Sequence, residues 1–79
     1  MRIAIIAIFV EDKTYAHKVN DILHQYGRYI IGRMGLPNVE EDLNIITLVV
    51  KASQEDISAL SGKLGSLKGV ISKVTYASK

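Results

Sequence analysis

Two stretches, Arg2-Ile-Ala-Ile-Ile-Ala-Ile-Phe-Val10 (RIAIIAIFV) and Leu43-Asn-Ile-Ile-Thr-Leu-Val-Val-Lys-Ala52 (LNIITLVVKA), decide the fold. Each is a β-branched run with apolar residues at both parities, the pattern of a strand buried on both faces. Such strands belong in the middle of a sheet. Between them, Tyr15, Ala16, Val19, Ile22, Leu23 and Tyr26 recur at helical spacing, with Asp12 as N-cap and Gly27 as stop, which predicts a helix over about 12–26. Residues 28–36 (RYIIGRMGL) carry Gly32, Arg33 and Gly35 and read as a bent edge strand, after which Pro37-Asn38 is expected to turn the chain. Beyond the second central run, Ser53 with Asp56 forms a capping-box-like start to a helix over about 54–66, with Ile57, Leu60, Leu64 and Leu67 recurring at helical spacing. Gly69 breaks it, and residues 70–77 alternate as a half-exposed strand.

The order β-α-β-β-α-β is that of the ferredoxin-like split βαβ unit, an α+β fold with an antiparallel four-stranded sheet and both helices on one face. In that topology the first and third strands are central, and these are the two doubly apolar ones. A sheet covered on one side should be polar on the other. Here both parities are apolar, so the open face calls for a cover, and a second copy of the chain in a homo-oligomer is the expected one. The outward set is read as Ile3, Ile5, Ala7, Phe9, Ile45, Thr47 and Val49, because it holds the small Ala7 and the polar Thr47. Ile6, Ile8, Val10, Ile46, Leu48 and Val50 then lie under the helices.

Composition narrows the function. The 79 residues suit one domain spanning 1–79, and a domain this small buries only about 60% of its unfolded surface, which favours a partner. There is no cysteine, so disulfides, thiolate metal sites and thiol redox chemistry are excluded and a reducing, cytoplasmic setting is expected. A formal charge of +2 is too small for a phosphate-tracking surface. Arg2 with the apolar run to Val10 has the outline of a signal peptide, but Glu11-Asp12-Lys13 follows without a cleavage pattern, so the run reads as a strand and no membrane partner is expected.

No motif points to catalysis. The serines fall at caps and polar faces, and no Ser/His/Asp or Cys/His set is available, so the chain reads as a non-enzyme without catalytic residues or a cofactor. His17, Asp21 and His24 lie at i, i+4 and i+7 of the first helix and are the best metal candidates. The two histidines are about 10 Å apart along the helix axis, too far to share one ion, and the weighted reading is a solvated helix face. Gly62-Lys63-Leu64-Gly65-Ser66 superficially resembles a phosphate loop, yet it ends a helix instead of preceding one. Glu40-Glu41-Asp42 reads as a solvated hairpin loop rather than a cation site. LNIITLVV lacks the stacking aromatics of an RNA-recognition strand, so no direct nucleic-acid binding is expected.

Several strings together carry a family resemblance: Val10-Glu11-Asp12, Val19-Asn20 with Leu23-His24, Arg33-Met34-Gly35 with Pro37, and Ala59-Leu60-Ser61-Gly62-Lys63-Leu64-Gly65 running to Gly69-Val70. Over nearly the whole chain the sequence resembles the small stand-alone ACT-like proteins described as iron-only hydrogenase system regulators. The resemblance implies a ferredoxin-like domain related to ACT domains and to the C-terminal domain of nickel-responsive repressors. It also implies a regulatory role, as a dimer or tetramer with a small-molecule effector at a subunit interface or a protein partner. The alternative is an assembly factor or weak metal-handling helper in hydrogenase maturation. Two departures shape these expectations. The Asp-x-Pro-Gly of amino-acid-binding ACT domains is replaced by Asp12-Lys13-Thr14-Tyr15, and the cysteine of the nickel site is missing.

Overall fold

The computed structural model describes residues 1–78. Its elements are β1 (Arg2–Val10), a 3₁₀ turn (Lys13–Tyr15), α1 (Ala16–Gln25), a second 3₁₀ turn (Gly27–Tyr29), β2 (Ile30–Glu40), β3 (Leu43–Ala52), α2 (Gln54–Gly65) and β4 (Val70–Tyr76). The four strands form one antiparallel sheet in the order β2-β3-β1-β4, so the two doubly apolar strands are indeed its centre. β1 and β3 pair without a break from Arg2 opposite Ala52 to Val10 opposite Asn44.

One face of the sheet is closed by the helices. Ala4, Ile6, Ile8 and Val10 from β1 and Leu48, Val50 and Ala52 from β3 are buried there against Val19 and Leu23 of α1 and Ile57, Leu60 and Leu64 of α2. Ile46, expected under the helices, lies on that side but is only half-buried, because its β2 partner is Gly35, which has no side chain to cover it.

The helix ends follow the sequence logic with two corrections. The first helix does not start at Asp12: Asp12 caps the 3₁₀ turn, its carboxylate accepting from the Thr14 backbone N–H at 3.0 Å and the Thr14 hydroxyl at 2.7 Å, and α1 begins at Ala16. Asp12 holds its proton less tightly than an ordinary carboxylic acid, chiefly because the Thr14 hydroxyl and then its N–H stabilise the anion. The second correction concerns Pro37-Asn38, which does not turn the chain. β2 runs on to Glu40 with an irregularity between Leu36 and Glu40, and the chain reverses at Glu41-Asp42. Asn38 takes a left-handed φ of 53° and its N–H donates to the Asn44 side chain at 2.9 Å, so the residue that could have made a turn makes a bulge in an extended hairpin.

At α2 the Ser53 N-cap forms as expected, but the Asp56 carboxylate engages the Ser53 hydroxyl and not its backbone N–H, so the box is not reciprocal. The Ser53 hydroxyl accepts from the Asp56 N–H at 3.1 Å and donates to the Asp56 carboxylate at 3.0 Å. The helix passes through Gly62 and ends at Gly65, and Gly69 then takes a φ of +79° where the chain meets the β1–α1 turn.

Candidate functional site

The face of the sheet away from the helices has no cover from within the described residues. Every member of the outward set, Ile3, Ile5, Ala7, Phe9, Ile45, Thr47 and Val49, is half-buried or exposed, while its neighbours of opposite parity in β1 are buried. The strand register arranges these residues in rows. Leu36, Ile45, Phe9 and Ile71 stand side by side across all four strands, an entirely apolar row. The next row is Met34, Thr47, Ala7 and Lys73, and the one after it is Gly32, Val49, Ile5 and Thr75. Ile5 is 48% exposed, Leu36 49% and Ile71 41%, values typical of rim polar residues rather than of sheet isoleucine and leucine. Sequence reasoning missed Met34, Leu36 and Ile71. The parity of Met34 and Leu36 is set by a bulge between Ile30 and Gly32, which no local pattern announces, whereas Ile71 was legible from strict alternation in β4.

A second feature lies on the helix side. α1 barely touches β2, and the cleft between them is bridged by one hydrogen bond, from the Arg33 guanidinium to the Asn20 side-chain oxygen at 2.9 Å. This bridge divides the cleft into two grooves. One has a volume of about 200 Å³ and runs beneath the start of α1, between Val19 and Asn20 on one wall and Gly35, Leu36 and Pro37 on the other, with Ile46 in its floor. The other is lined by Leu23, His24, Gly27 and Ile30.

The three metal candidates are not gathered. His17 Nε2 lies 3.5 Å from a carboxylate oxygen of Asp21, both side chains largely exposed, while His24 lines the second groove. Among the described residues no three His, Cys, Asp or Glu side chains come together as a metal cluster. The acidic hairpin contributes one ion pair, Asp42 with Lys13 at 3.8 Å, which ties the β2–β3 turn to the β1–α1 connection. No helix among the described residues is long and apolar enough to cross a membrane.

An antiparallel sheet in the order β2-β3-β1-β4 with two helices on one face defines the class: ferredoxin-like α+β, the architecture shared with nitrogen-regulatory PII-like proteins. The resemblance to that class is one of fold. A PII-like protein from Thiomonas intermedia K12, solved with ADP, AMP and bicarbonate, superimposes with a TM-score of 0.63 at 16% identity, over 100% of this chain and 93% of that one. Within the class the chain belongs to the TM1266-like family, described as "Iron-only hydrogenase system regulator, putative", whose model matches residues 2–74. The structure of the uncharacterized protein TM1266 from Thermotoga maritima is similar at 43% identity and a TM-score of 0.88, covering 95% of both chains. Among curated proteins none matches the chain.

Proposed function

We propose that this protein is a homo-oligomeric regulatory module of an iron-only hydrogenase system, which assembles through its open sheet face and alters a partner's activity in response to a small molecule or by docking. Support for the regulatory role comes from the family description, and the absence of cysteine suits a reducing, cytoplasmic setting. The observation that carries the assembly is the uncovered face, with its fully apolar row of Leu36, Ile45, Phe9 and Ile71. Four strands spaced about 4.8 Å and some seven residues long present roughly 450 Å² in projection. Two such faces together approach about 1,000 Å², where specific interfaces begin. Ile3, Ile5, Ala7, Phe9, Ile45, Thr47 and Val49 form the interface in this reading, with Met34, Leu36 and Ile71 extending it to both edges. Lys73 and Thr75 on edge strand β4 supply part of a polar rim.

A regulator of this kind works by differential affinity: effector or partner binds one arrangement of the assembly better than another and shifts the population accordingly. Sedimentation velocity at low micromolar concentration tests the assembly. A dimer or tetramer is expected, and a monomer would overturn the reading of the open face. A second reading, weak metal handling, has in its favour the 3.5 Å approach of His17 to Asp21. Zinc titration of wild type beside a variant with Ala at His17, Asp21 and His24 decides it, since a shift common to both proteins removes the site.

A further inference from the structure

The groove beneath α1 has a chemical bias. Three polar side chains line it, Arg33, Asn20 and Asn44, and their hydrogen bonds fix what each presents. Arginine has no acceptor, so the atom of Asn20 facing it at 2.9 Å must be the amide oxygen; a backbone N–H likewise cannot accept, so Asn44 faces the Asn38 N–H with its oxygen. Both amide orientations are therefore determined. Each amide has engaged its oxygen within the protein, and each retains an NH₂ group. Arg33 donates one hydrogen bond of the five its guanidinium can make, and among the described residues it has no carboxylate partner. No acidic residue lines either groove. The polar side chains of the site thus offer chiefly donors and positive charge, each amide oxygen having one of its two lone pairs already engaged. The remaining side-chain walls, including Val10, Val19 and Ile46, are apolar.

Shape points the same way. Gly35 leaves the β2 wall open, and a Cβ built on it meets nothing within 4 Å. At about 200 Å³ the groove is smaller than the sites that hold drug-sized molecules or nucleotides, and suits a short chain.

We infer that the groove between α1 and β2 is a binding site for a short aliphatic carboxylate, its carboxylate held by Arg33 with the amides of Asn20 and Asn44 and its branched or linear tail lying against Val19 and Ile46. An α-amino acid fits less well, since its ammonium would lie beside the Arg33 guanidinium in a groove with no acidic residue. The inference rests on the reading of the protein as a ligand-responsive regulator and supplies the class of effector. The site is built within one chain, so it is testable separately from the assembly.

Isovalerate serves as the probe, titrated at constant ionic strength against ¹⁵N-labelled full-length protein. Isovaleramide serves as its uncharged isostere and valine as its amino derivative. Saturable shifts confined to the α1 start and to β2 and β3 around Gly35 and Asn44 are expected for isovalerate. Isovaleramide and valine should bind at least about tenfold more weakly, the loss of one charge-assisted hydrogen bond. Arg33→Gln, which keeps an amide donor but loses the charge, should weaken isovalerate by a similar factor. Gly35→Val, whose Cβ meets nothing within 4 Å and whose branched side chain occupies the groove, should abolish the shifts while leaving the rest of the spectrum in place. Equal binding of acid and amide, tighter binding of valine, an unaffected Gly35→Val variant, or no saturable shift would each overturn the assignment. Sedimentation of the same samples separates the two claims. An oligomer without carboxylate binding refutes the site alone, and a monomer that binds isovalerate at the groove supports the site while refuting the assembly.

Discussion

Gly69→Ala should be strongly destabilising although it adds a single methyl group. Gly69 has a φ of +79°, a region that costs an L-residue about 1–2 kcal/mol. A Cβ there would also lie 2.7 Å from the Cβ of Asp12, whereas carbon atoms prefer a separation of about 3.5–4.0 Å. Asp12 is not free to retreat, because its carboxylate holds the Thr14 N–H and hydroxyl, and the adjacent Glu11 N–H donates to the Gly69 carbonyl at 2.7 Å. Relieving the overlap therefore weakens at least one hydrogen bond, adding about 1 kcal/mol or more. The sum is roughly 2–4 kcal/mol, or a fall in Tm of about 8–30 °C for a domain of this size. Gly62→Ala is the control of opposite sign. Gly62 is an exposed interior residue of α2 with nothing within 4 Å of its Cβ, so alanine should stabilise by about 0.5–1 kcal/mol. Urea unfolding at one fixed protein concentration, necessary for an oligomer, measures both. A Gly69→Ala variant within about 0.5 kcal/mol of wild type, the ordinary scatter of surface substitutions, would refute the close-approach argument.

Three further predictions follow from the same contacts. Ser53→Ala removes the α2 cap and should cost about 1 kcal/mol in urea unfolding, with Ser53→Asp restoring much of it. Leu48→Ala, at a fully buried position in the core, should cost about 2–5 kcal/mol by the same method. Because folding lowers the Asp12 pKa, its contribution is present above the ordinary carboxylate range of the unfolded chain and is lost as pH falls through the lower folded value. Asp12→Asn should therefore differ most from wild type in thermal melts at neutral pH, and the two curves should converge on acidification. Parallel curves from neutral to acid pH would contradict that assignment.

What was legible in the sequence was what depends on local chemistry and burial. The runs 2–10 and 43–52 gave strands with the same bounds in the structure, because doubly apolar β-branched segments are compatible with little else, and their shared character fixed the sheet order. Ser53 with Asp56 marked the start of α2 for the same reason, since the capping side chains lie within one turn. The hairpin was misjudged at Pro37-Asn38 because a left-handed asparagine serves a bulge as readily as a turn, and the hydrogen bond that selects the bulge comes from Asn44, across the strand pair. The outward parity of β1 and β3 was readable from Ala7 and Thr47, yet the β2 contribution depended on an extra residue near Ile31 that shifts the register. The groove was invisible for a deeper reason. Asn20 and Arg33 are thirteen residues apart, and their meeting depends on how far α1 stands from the sheet edge.

The open face is the centre of this account, and the most direct measurement is an isotope-filtered NOE experiment on protein mixed from methyl-labelled and unlabelled copies. Intermolecular NOEs should arise from the methyl groups of Ile5, Val49, Ile45 and Ile71. Intermolecular NOEs confined to the helices, or none at all at concentrations where sedimentation shows an assembly, would contradict the face as the interface.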